Sequence, residues 1–176
     1  MKNIELKVEV PLSKLSVELS ERNVPYAGCL KQKDTYYLVG VSRLKVREET
    51  NQTHVIYYKR ANTEQSKDSR YFIVSVPKSV TGVVKTVFKS VFGSKKVVEK
   101  QRDLYVHENT RIHLDSVKNL GEFLELETVV GDERKYADYT KEHEDVINML
   151  GLNLYPKIAM SYSDLEAGSV AVKGGY

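Results

Sequence analysis

The sequence has one cysteine, no tryptophan, four prolines and ten glycines among its 176 residues. The single thiol, Cys29, excludes a disulfide framework within the chain and any zinc site built from several thiolates. The small share of proline and glycine argues against a collagen-like or largely disordered chain. No apolar run approaches the roughly 18 residues that a membrane helix requires. These absences leave a globular protein as the class to consider.

Charges of both signs are spread along the chain, with 27 basic and 24 acidic residues and a formal net charge of +3. So small an excess is unlike that of a dedicated nucleic-acid binder. The first ten residues alternate charged and apolar side chains, whereas a secretory signal has an apolar centre. We therefore expect a cytoplasmic protein whose partner is neither nucleic acid nor a membrane.

Apolar residues recur with two different periods. Residues 4–10 alternate apolar and charged side chains, which predicts a strand, and the leucines after Pro11 have helical spacing. The stretch 26–76 is rich in Tyr, Val and Thr and is broken by turn residues, which predicts four strands. A helix is expected over 77–93, followed by strands over about 96–107, 110–117 and 122–130 and by a helix that ends near residue 151.

These elements predict an α+β fold with one large, mostly antiparallel sheet of eight strands and three flanking helices. A strongly twisted sheet of eight strands tends to close, so we expect a β-barrel. One domain should cover residues 1–166. The last ten residues, 167–176, are rich in small side chains and are expected to form a flexible tail.

Charges of one sign collect on single faces of the predicted strands. Arg43, Lys45 and Arg47 place three cations in a row, and Glu125 and Glu127 place two acids together. Like charges on facing positions cost up to about 1 kcal/mol, so a solvated face normally mixes signs. Two explanations of this segregation of charge remain open. Either the charged faces are solvated and the pattern arose by chance, or the charged faces point into the interior of a barrel. In the second case the cations would require an anion, because an unpaired buried charge costs several kcal/mol.

A polyphosphate with a divalent metal satisfies both kinds of charge. Arginine forks match phosphate oxygens, and Mg²⁺ or Mn²⁺ accepts carboxylate oxygens and bridges them to phosphate. His113 shares the face of Arg111 and Asp115, where it could be a hydrogen-bonding wall residue or equally a general acid or base. The other three histidines have no ligand spacing and are expected to be structural or on the surface.

Eight segments of the chain resemble the CYTH superfamily, the triphosphate tunnel enzymes that include class IV adenylate cyclases and thiamine triphosphatase. The resemblance runs nearly the whole length and is closest to the cyclase-like branch. In the opening signature, Glu-x-Glu-x-Lys, the first acid is replaced here by Asn3, which puts one carboxylate of a metal shell in doubt. The segments are Asn3–Lys7, Gly40–Glu48, Tyr58–Arg60, Lys67–Tyr71, Val98–Arg102, Arg111–Asp115, Gly121–Glu127 and Ser161–Leu165.

The resemblance implies an eight-stranded antiparallel tunnel that grips a triphosphate with inward cations and holds Mg²⁺ or Mn²⁺ with acids. Glu5 and Glu127 are expected to act in catalysis. The implied metal ligands are Glu5, Asp115, Glu125 and Glu127. The implied substrate-binding residues are Lys7, Arg43, Lys45, Arg47, Arg60, Lys67, Lys100, Arg102, Arg111 and Lys157.

The expected function is that of a metal-dependent enzyme that converts ATP to cyclic AMP and pyrophosphate. A triphosphatase acting on tripolyphosphate, a nucleoside triphosphate or thiamine triphosphate is the nearest alternative, because it would use the same grip. A non-catalytic polyphosphate or nucleotide sensor is a third hypothesis, favoured if Asn3 leaves the metal shell incomplete. An RNA-binding sheet is the least favoured, because the cationic strand lacks interleaved aromatic residues. The resemblance also makes a homodimer plausible.

Overall fold

The computed structural model describes residues 2–40, 42–59 and 67–165. The strands are β1 (Lys2–Glu9), β2 (Tyr26–Val39), β3 (Ser42–Glu48), β4 (Thr53–Lys59), β5 (Lys67–Val76), β6 (Ser94–His107), β7 (Thr110–Val117) and β8 (Gly121–Val130). The helices are α1 (Leu12–Glu21), α2 (Thr81–Phe92) and α3 (Tyr136–Met149), with short 3₁₀ turns at Lys78–Val80 and Leu152–Leu154. Among these residues no helix has the length and apolar character needed to cross a membrane.

The eight strands form a ring in the order β1-β5-β4-β3-β2-β6-β7-β8, and each is antiparallel to both neighbours. The α+β fold with eight antiparallel strands, predicted from the sequence, is thereby confirmed. Strand β1 closes the ring. It pairs with β8 over eight residue pairs and, among the described residues, with β5 over four.

Two of the three apolar clusters among the described residues lie outside the barrel, between its outer surface and the helices. Leu6, Leu114 and Leu126 point outward from the β1, β7 and β8 region and pack with residues of α1 and α3. Around β3, Leu44 and Val46 pack beneath the inner face of α2. Because side chains alternate along a strand, covering the outer face with helices turns the charged residues inward.

The chain after α3 returns to the barrel and fills one of its ends. Gly151, with a φ of 59°, adopts the left-handed conformation that ends the α3 region. The amide of Ile158 then donates to the carbonyl of Lys7. Tyr162 packs against Phe123 and other inward-facing residues at the end of the barrel where β1 ends. We call residues 156–165 the C-terminal plug.

Candidate functional site

A cavity of about 350 Å³ occupies the barrel interior. All eight strands contribute to its wall, and none of its lining residues belongs to the C-terminal plug. Its volume lies within the range of small-molecule sites, roughly 300–1,000 Å³. The charged side chains of the wall are Lys45, Arg47, Arg102, Arg111, Glu5, Glu49, Glu125 and Glu127.

One buried carboxylate, Asp34 on β2, holds two of these cations in place. Lys45 Nζ donates to Asp34 Oδ2 at 2.7 Å, and Arg47 donates from Nε and Nη2 to the two oxygens at 2.8 Å each. Burial alone would raise the pKa of Asp34, but the charges of Arg47 and Lys45 hold it far below its usual range. Burial and the nearby Arg47 lower the pKa of Lys45 to about 8.

A second buried carboxylate, Asp115 on β7, organises the neighbouring strands. Arg102 donates to both of its oxygens at 2.6 Å each, and Lys100 Nζ donates at 2.8 Å. The hydroxyl of Tyr162, from the C-terminal plug, also donates to Asp115 at 2.8 Å. Burial opposes ionisation, yet Arg102 and Lys100 keep the pKa of Asp115 far below its usual range.

These two networks correct one step of the sequence argument. Asp34 and Asp115 provide counter-charges for Lys45, Arg47, Lys100 and Arg102. Burial of these cations therefore does not by itself require a bound anion, and that expectation is wrong. What the networks do provide is rigidity, since a guanidinium fixed on one edge by a carboxylate presents its remaining N–H groups in a defined direction.

Three further acids lie on adjacent positions of β1 and β8. Glu5 faces Glu127 across the strand pair, and Lys7 faces Glu125. Glu127 accepts a hydrogen bond from Arg111 at 3.2 Å and another from the amide of Asn3. Glu125 accepts from Arg102 Nη2 at 2.7 Å and has Lys7 Nζ at 3.6 Å.

The acid pair Glu5 and Glu127 fits a hard divalent cation brought in with its substrate. Among the residues that the structure describes, no group of three or more acidic, histidine or cysteine side chains forms a ready-made metal cage. Mg²⁺, however, is usually held by one or two carboxylates together with substrate phosphates. Asn3 is fully buried and positions Glu127 through its amide. The metal-ligand role of Asp115 stays a prediction, and its contacts are those of a structural ion pair.

Most of the predicted interior residues do lie inside the barrel, but at two levels. Lys45, Arg47, Arg102, Arg111 and the three glutamates Glu5, Glu125 and Glu127 line the cavity. Lys7 and Lys100 are buried below it, where both stand over the ring of Tyr162.

Two predicted substrate contacts have other surroundings, and two lie outside the described residues. Arg43 pairs with Asp164 of the C-terminal plug at 2.8 Å. Lys157 is an exposed plug residue whose backbone bridges to Val8. Arg60, the side chain of Lys67 and the expected tail at 167–176 lie outside the described residues, so those expectations stay predictions.

Several cavity and network residues had no role in the sequence analysis. Among them are Asp34, Gln32, Glu49 and Tyr162. His54, expected to be structural or on the surface, lines the cavity, where its Nδ1 is 3.0 Å from the hydroxyl of Ser75. On β2, residues 31–35 are all polar, so alternation could not show which face looks inward.

His113 is a buried imidazole within the same wall. Burial, with the charge of Arg102 next, lowers its pKa well below the usual value, so the ring is neutral near pH 7. Its Nε2 lies 3.9 Å from Glu127 Oε2, and its Nδ1 has no hydrogen-bond partner among the described residues. A general acid or base works best with a pKa near neutrality, so this environment favours the other hypothesis, that His113 is a hydrogen-bonding residue of the wall.

Known proteins share both this architecture and its length. A protein of Methanocaldococcus jannaschii named as a candidate adenylate cyclase is 25% identical over 94% of this chain and 99% of its own. The PH1012 protein of Pyrococcus horikoshii superposes with a TM-score of 0.81 at 22% identity, covering 93% of this chain and 98% of its own.

A more distant solved structure has the same fold. A Hippeastrum protein described as a candidate adenylyl cyclase with a dominant triphosphatase activity has a TM-score of 0.63 at 11% identity, with 95% of each chain covered. At that identity the likeness shows the fold alone. The CYTH domain profile, in contrast, matches residues 1–162, which is nearly the whole described chain. The chain therefore belongs to the CYTH family.

Proposed function

We propose that the protein binds ATP in the barrel cavity and converts it to cyclic AMP and pyrophosphate. The observation that carries the proposal is the convergence of Lys45, Arg47, Arg102 and Arg111 on one cavity that also exposes Glu5 and Glu127. Cations beside paired carboxylates suit a triphosphate that arrives with a divalent metal. The adenylate cyclase name of the Methanocaldococcus jannaschii relative supports this choice of reaction.

In this reaction the 3′-oxygen of the ribose bonds to the α-phosphorus, and the bond from that phosphorus to the bridging oxygen of the pyrophosphate breaks. The hydroxyl proton passes to a carboxylate, for which Glu127 and Glu5 are the candidates. Negative charge grows on the departing pyrophosphate, where Arg47 and Arg102 can stabilise it. Because Asp34 and Asp115 already fix these guanidinium groups, little reorganisation is needed when the charge appears.

Glu5 and Glu127 would hold Mg²⁺ or Mn²⁺ together with the phosphates. The metal would lower the pKa of the attacking hydroxyl and neutralise phosphate charge. The C-terminal plug fills one end of the barrel, so substrate would enter and products would leave through the other end.

A triphosphatase is the second candidate, favoured by the activity described for the Hippeastrum protein. It would use the same cations, with water attacking the terminal phosphorus. The buried, neutral His113 does not offer a dedicated base for either reaction.

The products separate these candidates. The protein is incubated with ATP, thiamine triphosphate or tripolyphosphate and with Mg²⁺ or Mn²⁺, and the products are resolved by chromatography. Cyclic AMP with pyrophosphate is the expected result. Orthophosphate would identify the triphosphatase, and tight binding without turnover would identify a sensor.

A further inference from the structure

The outer surface of β4 and β5 exposes large apolar side chains that the described helices leave uncovered. On β5, Phe72 and Val74 are 72% and 59% exposed. Tyr57 faces Phe72 from β4 and is 40% exposed. Because side chains alternate along a strand and paired residues share a face, these three side chains lie on one surface of the β4–β5 pair.

Helix α2 passes beside this surface and adds a second apolar strip. It begins over β4, where Thr81 hydrogen-bonds Thr53, and further along Phe88 packs edge-on against Tyr37 of β2. The helix therefore runs towards β2 and away from β5. Three of its valines, spaced four residues apart, are each at least half exposed, namely Val83, Val87 and Val91.

These valines lie on the flank of α2 that faces β4 and β5. Val84 and Phe88 pack in the core beneath the helix, and Lys85 pairs with Glu48 at the end of β3 at a distance of 2.6 Å. With 3.6 residues per turn, positions 83, 87 and 91 lie on the flank opposite Lys85. Since β3 and β2 lie on the lysine side, the valines are turned towards the other neighbours in the ring, β4 and β5.

Together these residues form a continuous uncharged surface, which we call the apolar face. It exposes on the order of 600 Å², at the upper end of the largest patches on typical monomers and near the roughly 800 Å² that each partner contributes to a standard interface. Its area is thus sufficient for the central part of a protein–protein contact. Its members are Tyr57, Phe72, Val74, Val83, Val87 and Val91.

The strand edge next to the apolar face also lacks protection. Strand β1 pairs with residues 67–70 of β5, so residues 71–76 have no strand on that side within the described part of the chain. Natural proteins commonly protect such an edge with a charged side chain or a proline. Residues 71–76, with the sequence Tyr-Phe-Ile-Val-Ser-Val, contain neither. An isolated monomer with this surface would tend to aggregate, whereas a partner that covers it would prevent aggregation.

We propose that a second copy of this chain covers the apolar face in a two-fold symmetric dimer. The two parts of the face match each other in width, because a helix is about 10 Å across and two strands lie about 4.8 Å apart. In a two-fold contact each copy offers both parts, so the valine flank of each α2 packs on the β4–β5 surface of the other. No charged side chain of the face is buried in this contact. The dimer goes beyond the proposed function, and neither depends on the other.

Sedimentation velocity of the full chain over a range of micromolar concentrations tests the proposal. The wild type should sediment as a species of twice the chain mass of 20.1 kDa. Phe72→Lys and Val87→Lys should each raise the dissociation constant by at least about a hundredfold, because each would bury an unpaired charge in the contact. Val17→Lys is the matched control, since Val17 is 56% exposed on α1, outside the apolar face, and this variant should remain a dimer.

Two variants on different elements keep the test informative if one of them does not fold, which circular dichroism would show. A monomeric wild type would overturn the proposal. A dimer that persists in both Phe72→Lys and Val87→Lys would also overturn it, because the interface would then lie elsewhere. If only Phe72→Lys separates the copies, they pair through the edge of β5 and the proposed contact with α2 is wrong. Equal dissociation of Val17→Lys would show that added charge, and not the apolar face, controls the association.

Discussion

At the scale of single residues, the arrangement of the cations inside the barrel depends on two buried carboxylates. Asp34 is 2% exposed and Asp115 is fully buried, and each binds a lysine and an arginine at once. Buried ion pairs add little net stability, because desolvation offsets the attraction. Removing one partner of a buried ion pair is strongly destabilising, because the charge of the other partner stays buried without a counter-charge.

Asp34→Asn tests this dependence. The variant leaves Lys45 and Arg47 without their counter-charge, and we expect the free energy of unfolding to fall by about 3–5 kcal/mol. Added tripolyphosphate should raise the Tm of the variant more than that of the wild type, because the ligand then supplies the missing negative charge. Thermal and urea unfolding with and without the ligand measure both effects.

Asp145→Asn is the matched control for that substitution. Asp145 is exposed and, among the described residues, pairs with Lys141 on the same helix, so its loss should lower the free energy of unfolding far less than Asp34→Asn does. If the two variants lose similar amounts of unfolding free energy, Asp34 does not stabilise the interior cations as described.

The pKa of Lys45 gives the site a pH dependence with a definite sign. A pKa of about 8 means that the amine is charged at pH 7 and neutral at pH 9 in the free protein. A triphosphate binds the charged form, so its affinity should fall by about tenfold between these two pH values. Arginine stays charged over this range, so Lys45→Arg should show a clearly smaller fall. Calorimetry at pH 7, 8 and 9 makes the comparison, and equal pH profiles for the two proteins would remove Lys45 from the binding site.

At the scale of elements, alternation along the strands determines what the cavity contains. On β1 and β8 the sequence alone predicted the inner face, because apolar residues packed beneath α1 and α3 alternate there with charges. On β2 and β6 both faces are polar, so the inner positions Gln32 and Asp34 carried no recognisable signal. The order of elements was thus predictable from local patterns. The ion pairs of the interior were not, although they join consecutive strands, because the polar runs of β2 and β6 do not show which residues face inward.

The C-terminal plug is the element whose role depends most on a single side chain. Tyr162 donates to Asp115, packs on Phe123 and lies 3.8 Å from Lys7 Nζ, measured to the ring centroid. Tyr162→Phe should lower the free energy of unfolding by about 1.5–3 kcal/mol, the range for a hydrogen bond to a charged group. Tyr162→Ala should cost about 3–5 kcal/mol, because the ring is lost as well. Urea unfolding measures both variants, and Tyr162→Ala should be the less stable. If Tyr162→Phe is as stable as the wild type, the hydrogen bond from the hydroxyl to Asp115 does not stabilise the fold.

At the scale of the whole molecule, the barrel places its two helix-covered apolar clusters outside and many of its charges inside, with a third apolar cluster at the end filled by the C-terminal plug. Helices α1, α2 and α3 cover parts of the outer surface, while the inner wall carries cations next to carboxylates. The segregation of charge among strands predicted this inversion. The sequence argument overestimated the need for an external anion, because it did not find the counter-charge of Asp34. The resulting interior is a fixed set of donors and acceptors, with the C-terminal plug at one end.

The central claim is that a triphosphate binds inside this barrel, and a crystal structure with bound tripolyphosphate tests it most directly. We predict density in the cavity with phosphate oxygens within hydrogen-bond distance of Arg47, Arg102 and Arg111. Density confined to the lysines of the outer surface, with the cavity holding only water, would contradict the account.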